Sequence, residues 1–149
     1  MFRQDKKKLF SDDFEYGLTN EVSVLEKLQT IYPKLYKTKN QFSHFDFRCD
    51  ENKIDIELKS RRIAYKQYPT IFFAEHKLYT GRKNKKNGIS NRITYCFEFK
   101  NKALYFWEDD GNDTDYKKTM CGNYKNKEEA KPLIELYMDK LKPISELVI

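Results

Sequence analysis

The stretch QFSHFDFRCDENKIDIELKS, residues 41–60, decides the fold. Gln41 to Cys49 reads as a strand with Phe42, Phe45 and Phe47 as apolar anchors. Asp50-Glu51-Asn52-Lys53 is a polar turn, and Ile54 to Ser60 is the returning strand. Side chains alternate across a strand, so Ile54, Ile56 and Leu58 share one face while Asp55, Glu57 and Lys59 share the other. His44, Asp46 and Arg48 alternate in the same way against Phe45 and Phe47. The hairpin therefore sets one ionisable face beside another, an unusual surface for a half-buried sheet.

Upstream, Tyr16 to Tyr32 is predicted helical, because Leu18, Val22, Leu25, Leu28 and Ile31 recur three or four apart. Gly17 and Thr19 offer a start and Pro33 a stop. Glu21 falls at the edge of that apolar stripe and is within reach of the body of the protein. Met1 to Asp13 is a loose arm or a short strand around Lys8 to Phe10. Downstream, Arg61 to Tyr68 is a polar connection. Pro69 opens an aromatic strand, Thr70 to Ala74, which passes into a turn or helix carrying Glu75, His76, Lys77 and Leu78 and ended by Gly81. Arg82 to Arg92, RKNKKNGISNR, carries five basic residues and no acid, and reads as a loop. Ile93 to Lys100 and Ala103 to Glu108 form a hairpin, followed by an acidic loop, Asp109 to Asp115. Lys127 to Leu141 is expected as an amphipathic helix with Leu133, Ile134, Tyr137, Met138 and Leu141 inward. No repeat or linker divides the chain. The order predicts one α/β domain over residues 1–149, a central mixed β-sheet flanked by helices.

Composition narrows the class. An aromatic content of 15% excludes a disordered chain despite 35% charged residues. No apolar run approaches the roughly 18 residues that a membrane span needs, and the start MFRQDKKKLFSDDFE has no signal-peptide core. A soluble intracellular protein, cytoplasmic or nuclear and without a membrane partner, is expected. Cys49, Cys96 and Cys121 are far apart and form no CxxC pair, and only His44 and His76 could join them, which disfavours structural zinc or a disulfide framework. The net charge of +6 favours an anionic partner, although A/T-rich codon usage also enriches lysine, the residue behind 23 of the 29 cations.

Five Glu-x-Lys triplets occur, so the triplet alone carries nothing. Those at Glu51, Glu75, Glu98 and Glu129 lie in a turn, at a strand end, on a strand without a preceding aspartate strand, and in the closing helix. Only Glu57-Leu58-Lys59 has an aspartate, Asp46, on the partner strand at hairpin distance. Carboxylates on adjacent strands can aim at one Mg²⁺, which takes one or two carboxylates and fills its octahedron with water and phosphate oxygens. The Leu58 carbonyl offers a further oxygen. Lys59, on the same face, could position a water or stabilise charge developing on phosphorus.

Asp46, ten intervening residues, and Glu57-Leu58-Lys59 resemble the signature of the PD-(D/E)XK nuclease superfamily. The order helix, hairpin, strand, helix, strand over roughly Tyr16 to Phe106 is similar to that superfamily's core. Small archaeal Holliday-junction-resolvase-type members look alike in length and layout. ELKSRR with Tyr68-Pro69-Thr70 and the following lysine is also similar to small nuclease-like proteins of large DNA viruses. The resemblance implies a restriction-endonuclease-like core and a Mg²⁺-dependent DNA endonuclease, with Mn²⁺ as a substitute. It further implies water as nucleophile and 5′-phosphate products. Asp46, Glu57 and the Leu58 carbonyl would be the metal ligands. Glu21 matches the further acid supplied by the first helix, and Lys77 the substrate-facing residue after the third strand, giving the catalytic set Glu21, Asp46, Glu57, Lys59 and Lys77. Phe45 stands where the literal motif has proline.

Plainer readings stand beside these. The Asp46, Glu57 and Lys59 group is also what a salt-bridge cluster on a sheet face looks like. Glu21 could pair with lysines on a helix surface, and Lys77 could be an ordinary surface lysine. Asp55 is a second metal ligand or a solvated neighbour. Arg61 and Arg62 contact phosphate or mark a polar strand exit. Arg82, Lys83, Lys85, Lys86 and Arg92 are expected at DNA beside a nuclease face, and are otherwise a solvated loop. Branched or structured DNA is a candidate substrate, and a junction cutter would need a homodimer to place two sites. The alternative from another class is a catalytically silent nucleic-acid-binding or protein-interaction domain that keeps the nuclease fold.

Overall fold

A computed structural model describes residues 21–38, 44–123 and 126–149, and the side chains of these outside 121–130. The expected N-terminal arm, the helix start with Leu18, the Phe42 anchor and the Cys121 side chain lie outside the described residues. Helix α1 covers 21–29. It is followed by β1 (Tyr36–Lys37), β2 (Phe47–Cys49), β3 (Ile54–Ser60), β4 (Thr70–Ala74), helix α2 (Glu75–Lys86), β5 (Arg92–Glu98) and β6 (Leu104–Glu108). The chain closes with β7 (Tyr116–Asn123), β8 (Asn126–Tyr137) and β9 (Lys142–Pro143).

Two sheets result. The larger runs β1-β2-β3-β5-β6-β9 and is mixed: β3 and β5 are parallel, and its other neighbours are antiparallel. Parallel neighbours need a long crossover, and β4 with α2 supplies it. The smaller sheet, β4-β8-β7, is antiparallel.

Period-two patterning in β3 divides the core as the sequence implies. Ile54, Ile56 and Leu58 are buried with Phe47, Cys96 and Phe106 beneath Val24 and Leu28 of α1. Each such side chain contributes roughly 1.5–3 kcal/mol by leaving water. On the opposite face Tyr95, Phe97 and Trp107 pack against Phe73 of β4, Leu78 of α2 and Ile134 and Leu136 of β8. The stripe on α1 is Val24 and Leu28, with Leu25 and Ile31 half-buried, while Val22, expected inward, is 57% exposed. Leu25, Leu28 and Ile31 keep the expected side, and Val24, four residues before Leu28, takes the inward place expected of Val22.

Three expectations are corrected. Gly81 does not end the second helix. It lies buried inside α2, where a Cβ would come within 3.0 Å of Tyr95 Oη and 3.2 Å of Ile93 Cγ2. Its helix-weakening tendency, about 1 kcal/mol relative to alanine, is outweighed by the close approach to β5. Arg82 to Lys86 are consequently helical, and only 87–91 connect to β5. The closing helix expected from Lys127 to Leu141 is strand β8 instead. Ile134, Leu136 and Met138, all buried, alternate with the half-buried Leu133, Glu135 and Tyr137 in period two. Pairing with β4 from Leu133 to Tyr137 and with β7 along its length overrides the helical spacing. Pro132 falls one residue past the last β4 partner, where only β7 is alongside. Finally, β7 occupies a stretch for which no element was expected.

Candidate active site

Asp46 is the residue before β2. Its N–H donates to the Ile56 carbonyl (3.0 Å), and its Oδ2 accepts the Leu58 N–H (2.8 Å). The ladder ends at Phe47 with Ile56, and Asp46, just outside it, donates to the carbonyl of the same Ile56 and lies close enough for its charge to act on Glu57. The structure thus brings Asp46, Glu57 and Lys59 together. N–H and C=O of one strand residue share an edge, so the Leu58 carbonyl lies on the edge that its N–H presents to Asp46.

Glu57 is 3% exposed. Lys59 Nζ lies 3.3 Å from Oε1 and Lys77 Nζ 3.4 Å from Oε2. Yet Oε2 accepts no hydrogen bond, because proximity of Lys77 is not matched by alignment. The Lys77 ammonium donates to the His44 carbonyl instead. Lys77 is placed by the first turn of α2, whose backbone carbonyl at that residue accepts the Tyr95 hydroxyl (2.9 Å). Glu21, at the start of the described part of α1, is held by Lys37 of β1 at 2.5 Å, and its charge reaches Asp46.

These surroundings make both acids hold protons more tightly than usual. Burial is the main cause for Glu57, and the Asp46 charge adds to it against Lys59 and Lys77. Burial is likewise first for Asp46, partly offset by the Leu58 N–H, with Glu21 raising it and the two lysines lowering it. Desolvation therefore prevails over two nearby ammonium groups. A buried carboxylate with one unsatisfied oxygen beside a half-buried one would gain from a cation, and the donor set, two carboxylates and a main-chain oxygen, fits Mg²⁺ or Mn²⁺. Among the described residues no group of three or more His, Cys, Asp or Glu side chains surrounds one point.

Asp55 shares the face but is otherwise engaged. It pairs with Arg48 (Nη1–Oδ2 2.9 Å) and accepts the Ser90 hydroxyl, tying the hairpin to the α2–β5 connection. At 5% exposure Asp55 is not a solvated neighbour, and the ion pair with Arg48 through Oδ2 gives it a structural role. His44 and His76 are both exposed, and His76 is pushed down by burial and then by Lys77 and Lys59.

The cations are more committed than their sequence suggests. Arg61 donates to the Ser60 and Phe72 carbonyls, and Arg62 is exposed. Arg82 clamps Asp109 (2.8 and 3.0 Å) and reaches Asp113. Lys85 donates to the Asp109 carbonyl at 3.3 Å. Arg92 meets Glu108 and the Val148 carbonyl. Lys83 and Lys86 are exposed near the end of α2. Residues that sequence reasoning did not assign to the site are Tyr95, read there as core, and Lys37. Both depend on pairings across the fold, for which the local sequence has no signal. No protein-family model and no curated protein matches the chain.

Proposed function

We propose that this protein is a metal-dependent nuclease of the PD-(D/E)XK type that hydrolyses phosphodiester bonds in DNA. The observation that carries this reading is Glu57, buried with an unsatisfied Oε2 beside an Asp46 carboxylate pinned by the Leu58 N–H. The frame agrees with the resemblance: β2 and β3 antiparallel, β3 and β5 parallel, α1 over one face and α2 over the other. A bound divalent cation supplies charge neutralisation and a more acidic water. Asp46, Glu57 and the Leu58 carbonyl would hold it. Lys59 stays 27% exposed at the side-chain level, so its ammonium can meet a phosphate oxygen at the mouth while balancing Glu57 from behind. Lys77 is steadied by His44 and can act on the same oxygens or on the water.

Cleavage of labelled linear, branched and single-stranded DNA, and of RNA, in Mg²⁺ or Mn²⁺ tests the proposal. Lys59→Ala should lower kcat by about 10²–10³-fold with little change in KM, the pattern of a contact made mainly in the transition state. The silent-domain reading draws on the same two lysines, whose ion pairs also describe a closed salt-bridge cluster. Wild-type protein that cuts none of these substrates would establish it.

DNA affinity should depend on salt through the exposed end of α2. Replacing Lys83, Lys85 and Lys86 by Ala should flatten the log K against log salt slope by about 2, near 0.9 per lost phosphate contact. Lys85 is expected to contribute least, because its ammonium already serves Asp109. An unchanged slope would make these lysines solubility features.

A further inference from the structure

Beyond the end of β3 the chain makes a groove that the proposed hydrolysis does not use. A cavity of about 380 Å³ is lined by Arg61, Ile63, Tyr68, Pro69 and Phe72, among others. A second, of about 430 Å³, adjoins it across Tyr68 and Pro69 and includes Lys66 and Asp139. Tyr68 thus stands as a wall between the two. It is 53% exposed, and Phe72, which also lines the first cavity, is 42% exposed. Large rings left this open are unusual in a chain whose other aromatic residues are mostly packed.

The groove is built rather than loose. The connection turns at Lys66, which is left-handed (φ 64°). The turn is closed by Gln67 N–H to the Ala64 carbonyl (3.0 Å) and by Ala64 N–H to Gln67 Oε1 (2.9 Å). Tyr68 and Pro69 therefore leave in a fixed direction, and Met138 N–H donates to the Pro69 carbonyl at 2.9 Å. Arg61 forms the inner wall. Among the described residues its guanidinium has backbone carbonyls as partners, those of Ser60 (3.1 Å) and Phe72 (3.0 Å), rather than a carboxylate. Its charge is thereby available to an anion in the cavity.

Position supplies the link to the acids. Arg61 follows Lys59 by two residues, about 7 Å at the rise of a strand. One nucleotide can bridge from a phosphate at Lys59 to a base in this groove. We propose that the groove is a subsite for an unpaired nucleotide adjoining the scissile phosphate, with the base stacked on Tyr68 and its phosphate facing Arg61. This rests on the reading of Asp46 and Glu57 as the cutting site, and it names the substrate as nucleic acid with a single-stranded segment at the cut. The carboxylate of Asp139 marks the rim that a backbone phosphate avoids. An added peptide strand fits less well. β4 is an edge of its sheet, but Arg61 already occupies the Phe72 carbonyl that a ladder would need.

Fluorescence anisotropy in EDTA, with a short labelled thymidine oligonucleotide, tests this without any need for cleavage. Tyr68→Ala should weaken binding by about 10-fold or more, and Tyr68→Phe should restore it, since stacking needs the ring and not the hydroxyl. Phe72→Ala, in the same lining, provides a second variant should the first fail to fold. A fully paired duplex should be bound equally by wild type and Tyr68→Ala. An abasic oligonucleotide should bind wild type as weakly as the normal oligonucleotide binds Tyr68→Ala. Tyr68-dependent binding by a protein that cuts nothing in Mg²⁺ or Mn²⁺ would keep the subsite and remove the nuclease reading. Cleavage that is indifferent to Tyr68 and Phe72 would do the reverse. No oligonucleotide binding, or equal loss for duplex and single strand, overturns the subsite and leaves the groove to an extended peptide.

Discussion

Glu57→Gln should abolish cleavage, by about 10³-fold or more, and should leave the protein at least as stable as wild type. The loss in rate corresponds to about 4 kcal/mol of barrier, in the range expected when a ligand carboxylate of a catalytic cation is neutralised. Stability moves the other way because the wild-type carboxylate is buried with one oxygen unsatisfied. Folding raises the pKa of Glu57, so above its ordinary value of about 4.5 the native state retains a proton that the unfolded chain has lost. Stability therefore falls as pH rises from there through the folded value, and stays lower beyond it. Gln has no proton to lose. In metal-free buffer the melting temperature of Glu57→Gln should accordingly gain on that of wild type as pH rises. Asp46→Asn should behave alike, since burial raises its pKa as well and Asn can still accept the Leu58 N–H. Binding of DNA without metal should persist or tighten when this negative charge is removed. A Glu57→Gln protein that cuts as fast as wild type would place the active site elsewhere.

The hairpin was legible because its information is local. Alternation within Ile54 to Ser60 needs no knowledge of distant residues, and neither does the turn at 50–53. Asp46 was legible as a neighbour of Glu57 although it lies just outside the strand and donates to the Ile56 carbonyl, since the short turn at 50–53 limits how far apart the two can fall. What escaped depends on contacts far along the chain. Ile134, Leu136 and Met138 fit a period of two, but Leu133, Ile134, Tyr137 and Leu141 also fit a helix. Only the β4 and β7 partners decide between them. The basic run lost much of its apparent freedom for the same reason: Asp109 and Asp113, which hold Arg82, are 27 and 31 residues away. Gly81 read as punctuation because its neighbour Tyr95 is invisible until β5 lies against α2.

Asp55 gives the sharpest contrast with Glu57, two positions along the same strand face. Asp55→Ala should destabilise the fold by roughly 2–4 kcal/mol, somewhat below the roughly 3–5 kcal/mol for breaking a fully buried ion pair, because Arg48 keeps some exposure to water. Arg48 would be left with Asp50 and the Ile89 carbonyl, and the Ser90 hydroxyl would lose its acceptor. For a chain of this length the melting temperature should fall by about 4–16 °C, from roughly 2–4 °C per kcal/mol. Cleavage, assayed well below that temperature, should stay within a few-fold of wild type, since Arg48 and Ser90 both hold Asp55 through Oδ2 and tie this carboxylate to the α2–β5 connection rather than to Asp46 and Glu57. The two carboxylates then separate on two axes: removing Glu57 costs activity without stability, and removing Asp55 costs stability without activity. Chemical denaturation and a cleavage assay on the same preparations measure both. If Asp55→Ala kept full stability and lost cleavage, Asp55 would belong with Asp46 and Glu57 as a ligand, and the ion pair with Arg48 would have to open when metal binds.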